Sequence, residues 1–294
     1  MNAGNETLQQ IGRHLDRGIY PAVHHGGFVK PREDAIPVTR GEENHHERQT
    51  QRRPATEPWQ GAAGGQGAPG GSGASDQATQ IVRPALQSQY SEELSAVQKA
   101  YPRTLAWQLP EGILLLTESA LIEDIDRSAL FLTAVPYDDR KGVKSWGFWG
   151  SLTLPGPWIG PRHTNVPDGS ICAFEPRDGT WQKGDSLIEL LDLYSLWAVR
   201  HLHLEHYQRW PGYQSVGHRH ERILELRPDE FCGCGQSNRL YRDCCQTEDQ
   251  KINSLAAAMN PITKLFTNRA PPTAVRDFLQ NHAYPSLIMK LTHT

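Results

Sequence analysis

Between residues 86 and 210 the apolar positions follow two rhythms. Leu86, Tyr90, Leu94, Val97 and Tyr101 return at helical spacing. Ser91 followed by Glu92 and Glu93 supplies a cap and two acids at the start of that helix, and Pro102 stops it. The period then shortens. Thr104–Leu109 and Ile113–Leu121 flank the turn signal Pro110-Glu111-Gly112, and Ala129–Val135 and Val143–Leu152 are two further short apolar runs. Together they predict an antiparallel meander. Residues 153–170 are rich in proline and glycine but carry aromatic and apolar anchors, so an ordered loop is expected. Asp185 is a good N-cap for a second helix. Leu187, Ile188, Leu190, Leu191, Tyr194, Trp197, Val199 and Leu202 make that helix apolar on one side, to about Trp210 before Pro211-Gly212. Helix, meander, long loop, helix is an α+β order.

The flanks read differently. Residues 1–80 hold few apolar positions, two histidine pairs (His24-His25 and His45-His46) that read as solvated, and a Gly/Ala/Ser tract at 61–76. Such a tract buries too little surface to offset the entropy of ordering it. Nothing is built on a short helical pattern near Leu8–Leu15. Overall, 37% hydrophobic residues and a mean hydropathy of −0.59 fit a chain that is folded in part. The expected division is a disordered tail over 1–80, a packed domain over 81–215, a small cysteine module over 216–248 and a helical extension over 249–294. In that extension, Thr247–Met259 and Thr273–His282 read as short amphipathic helices separated by Pro261 and Pro271-Pro272.

Composition excludes several classes. No apolar run approaches the roughly 20 residues of a spanning helix, so no membrane role is expected. The first residues lack a hydrophobic signal core, which makes a cytoplasmic location the expectation. Thirty basic against 33 acidic residues leave a formal charge of −3, giving no global argument for nucleic acid.

Four of the five cysteines, Cys232, Cys234, Cys244 and Cys245, share one short window. The length of the chain and the reducing compartment expected for it argue against a disulfide scaffold. Four thiols at this spacing can surround one tetrahedral zinc, with Gly233 and Gly235 letting the backbone close around the ion. Nothing else in the window forms a core, so the ion would supply the folding energy. With all four ligands used, the site is closed and structural. The window resembles the SEC-C zinc module, which reads Cys-x-Cys-Gly, then basic and aromatic residues, then Cys-Cys or Cys-His. Gln236-Ser237-Asn238 is one residue longer than that module's usual turn. The neighbouring His218 and His220 are redundant as ligands and read as surface residues.

The fifth cysteine, Cys172, follows the long loop and precedes the second helix, a placement that suits chemistry. Arg162, His163 and Arg177 are candidates for stabilising a thiolate, and the Asn165 amide for an oxyanion. His163-Thr164-Asn165 is similar to the His-Pro-Asn signature of ubiquitin-conjugating enzymes, with threonine where proline is usual. Gly169-Ser170-Ile171-Cys172 resembles the Gly-x-Ile-Cys run of the same family. The bacterial branch found in antiviral signalling operons of the CBASS type is nearer still. Its pattern is matched by Asp168-Gly169-Ser170-Ile171-Cys172-Ala173-Phe174, then Trp181, an apolar helix and Trp210-Pro211-Gly212. The resemblance covers roughly residues 85–212.

It implies a ubiquitin-conjugating-like fold and a thioester carrier. Cys172 takes a protein C-terminus from an activating enzyme or acyl-donor protein and passes it to an amine. His163 shapes the loop, Asn165 orients it or steadies the oxyanion, and Asp168 or Asp178 assists the amine. The partner implied is a CD-NTase signalling nucleotidyltransferase or a ubiquitin-like protein. A papain-like pairing of Cys172 with His201, His203 or His206 is the weaker catalytic reading, because those spacings spread the rings around a helix. The competing function is a non-catalytic zinc-binding adaptor for protein–protein interaction.

Overall fold

The computed structural model describes residues 3–24, 27–32, 90, 92–174, 179–235, 238–251 and 261–293. Its centre is a five-stranded antiparallel meander: β3 (Thr104–Leu109), β4 (Gly112–Ala120), β5 (Ser128–Pro136), β6 (Lys144–Gly150) and β7 (Pro155–Trp158). β3 and β4 meet at the pair Leu109 and Gly112, and the register continues through Leu116 opposite Leu132 and Leu132 opposite Trp146. The four strands read from the sequence are all present. The fifth lies inside the segment expected to be loop, where Trp158 pairs with Phe148.

Alternate residues of each strand enter opposite cores. Ile113, Leu115, Ala129, Phe131, Val135 and Trp149 face one core; Leu114, Leu116, Leu130, Leu132, Trp146 and Phe148 face the other. The first core is roofed by three helices: α1 (Ala3–Asp16), α2 over residues 92–100, and α3 (Leu187–Tyr207). α2 carries Leu94 and Val97, with Tyr90 and Tyr101 at its flanks, as the spacing predicts; Leu86 lies outside the described residues. α3 contributes Leu187, Leu190, Leu191, Tyr194, Trp197 and Leu202. Its N-cap is Ser186, not Asp185. Ser186 accepts from the Ile188 amide at 3.2 Å, while Asp185 accepts from Gln182 in the preceding turn. Glu93 of α2 takes the Leu187 amide at 3.0 Å, so a neighbouring helix helps cap this one.

The beginning of the chain corrects the expectation of a tail. Leu8, Ile11 and Leu15 of α1 are 0–2% exposed and pack with α3, followed by the hairpin β1 (Ala22–His24) and β2 (Phe28–Lys30). A charged, polar sequence concealed an amphipathic helix with one narrow buried stripe. The Gly-rich tract at 61–76 and the start of the packed domain near Ile81 lie outside the described residues.

The second core is closed by α7 (Thr273–Asn281) and α8 (Pro285–Lys290), through Val275, Phe278, Leu279, Ile288 and Met289. The C-terminal extension therefore belongs to the sheet. Between α3 and α7 lie α4 (Arg219–Glu225), the cysteine window with a 3-10 turn at Tyr241–Asp243, α5 (Gln246–Asp249) and α6 (Pro261–Thr267). Of the helix expected over Thr247–Met259, residues 252–259 lie outside the described residues. Among the described residues no helix is long and apolar enough to cross a membrane.

Candidate functional site

Residues 163–172 form a small hairpin. Asn165 N donates to Ser170 O at 2.7 Å, Thr164 bridges Ile171, and Cys172 N donates to His163 O at 3.0 Å. Cys172 thus lies directly across from His163. The Asn165 side chain stiffens this turn, donating from Nδ2 to Ser170 Oγ at 3.2 Å and to the Ile171 carbonyl at 3.1 Å, one residue before the thiol.

Two tryptophans anchor the hairpin. Trp197 of α3 donates from Nε1 to His163 O at 2.9 Å. It approaches the sheet over Gly147, where a Cβ would come within 2.7 Å of its ring. The His163 ring lies 4.4 Å from Trp210, centroid to centroid, and its Nε2 meets Gln214 Oε1 at 3.1 Å. Burial, then the charge of Arg162, hold His163 well below the ordinary imidazole range, so it is neutral near pH 7.

Cys172 is half-buried and lines an open cleft of about 230 Å³. His163, Thr164, Asn165 and Val166 of the loop line it, together with Ser215, Gly217, Glu221 and Phe266. The last four come from segments that lie well beyond the loop in sequence and carry no short-range signal. Glu221 is the carboxylate of this cleft. Its Oε1 accepts from Arg269 Nη1 at 3.1 Å, and the almost fully buried Arg269 also reaches Glu225 and the Thr164 carbonyl.

The other expected residues lie elsewhere. Asp168 is not part of the cleft wall. It accepts from Lys144 Nζ at 2.6 Å and from the Ser170 amide and hydroxyl. Burial pushes its carboxyl up, but these donors outweigh burial and hold it below the usual range. The carboxylate is therefore occupied in holding the hairpin to β6. Arg162 does not line the cleft either; it forms a bidentate pair with the fully buried Glu230 at 2.6 and 3.0 Å. His201 donates from Nε2 to the Arg162 carbonyl at 2.9 Å, His203 donates from Nδ1 to the Arg209 carbonyl at 2.9 Å, and neither these nor His206 line the cleft. Asp178 and Arg177 lie outside the described residues.

The four clustered cysteines converge as expected. Their sulfurs all lie within 4.8 Å of one another, with Cys234 to Cys244 at 3.7 Å and Cys244 to Cys245 at 3.8 Å. Sulfurs about 2.3 Å from a central ion at tetrahedral corners stand roughly 3.8 Å apart, so the set can hold one metal ion. Burial pushes the Cys232 thiol up to about 11, a cost that a bound cation would reverse. Gly233 has a φ of +69°, and a Cβ there would come within 2.8 Å of Val216 N. His218 caps α4, and His220 is 9% exposed with its Nδ1 on Thr263, so His220 is an interior residue, contrary to the surface reading.

The fold and these two centres define a class: an α+β protein with a five-stranded antiparallel sheet, a cysteine presented by a loop hairpin at an open cleft, and a four-cysteine cluster able to hold a metal. No family model, curated protein or solved structure matches the chain.

Proposed function

We propose that the protein is a ubiquitin-conjugating-like carrier that forms a thioester at Cys172 and delivers a protein C-terminus to an amine. The observation that carries this reading is the Cys172 hairpin. The thiol is half-buried at a cleft, and the Asn165 amide is hydrogen-bonded to the backbone immediately before it. The order helix, antiparallel meander, cysteine loop, long helix supports the same reading.

In the first step the Cys172 thiol loses its proton to solvent and the thiolate attacks the acyl carbon of a C-terminus held as a thioester on the donor. A new S–C bond forms, the donor's S–C bond breaks, and the donor's sulfur leaves as a thiolate that takes up a proton from solvent. In the second step an amine attacks that carbon, the Cys172 S–C bond breaks, and an amide results. The Asn165 amide is within the same cleft wall and steadies the hairpin through which the developing oxyanion is presented. Glu221 takes the part first assigned to Asp168. It faces the cleft and attracts the incoming ammonium, whose proton it accepts or passes to solvent. His163, neutral and packed on Trp210, shapes the loop and carries no proton.

The four-cysteine cluster holds a structural zinc: all donors are thiols, and their mutual distances suit a closed tetrahedron. Donors of the acyl group are an activating enzyme and, as the conjugated protein, a CD-NTase signalling nucleotidyltransferase or a ubiquitin-like protein of bacterial antiviral signalling. A reducing cytoplasm keeps all five cysteines out of disulfides.

Mixing the protein with its activating enzyme and acyl donor tests the reading. An adduct cleaved by reducing agent is expected on the wild type, none of that kind on Cys172→Ser, and a stable amide on Cys172→Lys. Glu221→Gln is expected to charge normally but to discharge to free lysine at least about tenfold more slowly. Absence of any thiol-dependent adduct leaves the non-catalytic adaptor as the function. Zinc content is expected near one ion per chain, lost in Cys234→Ser and Cys244→Ser; unchanged content rejects the cluster as the ligand set.

A further inference from the structure

The thiol cleft and the cysteine cluster are joined by one short segment in which Gln214 and Val216 are buried and Ser215 and Gly217 are exposed. Residues 214–217 follow Trp210-Pro211-Gly212, and Ser215 and Gly217 of this segment line the same cleft as Cys172. On its other side the segment is held by the cysteine window. Val216 N donates to Gly233 O at 2.8 Å, and Gln214 Nε2 donates to Phe231 O at 2.6 Å. Phe231 and Gly233 bracket the ligand Cys232, and Gly233 lies between two ligands.

Gln214 also reaches the thiol hairpin. Its Oε1 accepts from Arg162 Nη2 at 2.7 Å and meets His163 Nε2 at 3.1 Å. His163 in turn receives the Cys172 amide on its carbonyl. One buried side chain, 7% exposed, thus ties both strands of contact: amide nitrogen to the metal window, amide oxygen to the hairpin. Glu230, two residues before Cys232, adds a second tie through Arg162.

The window cannot hold this geometry alone. Its buried apolar set is Val216, Leu226, Cys232 and Tyr241, with the other three cysteines packed around it. So small a core depends on its ion for order. We infer that Gln214 is a positioning residue through which the metal-loaded cysteine cluster sets the shape of the Cys172 cleft, so that loss of the ion opens that cleft and exposes the thiol. This rests on the cluster being a metal centre. It does not rest on thioester chemistry.

The test reads access to the thiol, not activity. The full chain is alkylated with iodoacetamide, and modification of the peptide carrying Cys172 is followed by mass spectrometry, with metal content and far-UV circular dichroism measured on the same samples. Stripping the ion with a chelator is expected to speed Cys172 alkylation severalfold. Metal-loaded Gln214→Ala is expected to do the same with its metal content and far-UV circular dichroism unchanged, a result that general unfolding does not produce. Gln214→Ala alkylated at Cys172 within about twofold of the wild type overturns the inference, even if chelation unfolds the whole chain. A wild type that holds no metal sinks the reading of the centre itself, and the coupling with it, and that failure shows in the metal assay. Loss of the thioester reading leaves the alkylation result standing.

Discussion

His201 sits where three requirements meet: it packs against Trp197 and Trp210, its ring nitrogen bonds the Arg162 backbone, and it is 4% exposed. Burial, reinforced by the Arg162 charge, lowers its pKa to about 3. The unfolded chain takes up a proton near 6.5, whereas the folded chain does so only near 3. Between these values the unfolded state binds more protons, so stability falls as pH drops through that window, by up to about 5 kcal/mol. Thermal melts of the wild type are expected to lose more between pH 7 and pH 4 than melts of His201→Gln. Equal losses would show that the ring is protonated in the fold. His163 adds to the same acid limb, since it too is buried and neutral.

At the scale of elements, the strands explain why helices cover both sides of the sheet. β4 and β5 are buried along nearly their whole length, a pattern that requires cover on both faces. α1, α2 and α3 supply it on one face, α7 and α8 on the other. The strands, α2 and α3 were legible because local period and turn signals agree there. β7 was not, because its Pro155-Gly156-Pro157 sequence reads as loop and is a strand only by pairing with β6. α1 was hidden by its polar face. Ile11→Ala and Phe278→Ala are each expected to cost about 2–5 kcal/mol in chemical denaturation, as for any buried side chain. A cost below roughly 0.5 kcal/mol for Ile11→Ala would return α1 to the status of a tail.

The whole molecule joins centres of unequal strength. The sheet stands between two apolar cores, whereas the cysteine window has a small one and a set of buried ion pairs: Arg162 with Glu230, Arg222 with Asp249, and Arg269 with Glu221 and Glu225. Such pairs fix one arrangement more than they add stability, and each carbonyl or carboxylate they hold is costly to strand. Hydrogen exchange should register the difference. On chelation, amides of residues 216–245 are expected to lose protection while those of β4 and β5 keep it. Protection lost uniformly, or nowhere, would mean that the ion does not order the window separately.

The sequence by itself determined the meander, the long helix and the grouping of four cysteines, because period, turn residues and ligand spacing are local properties. It also named His163, Asn165 and Cys172 through a resemblance, and the hairpin is what brings them together. Only the tertiary structure decided which groups surround the thiol. Glu221, Ser215 and Phe266 line the same cleft, while Asp168 and Arg162, nearer in sequence, form ion pairs with Lys144 and Glu230 and do not line it. The reason is physical. A loop's backbone direction follows from its own residues, but the partners of its side chains depend on which distant segments the two cores bring alongside.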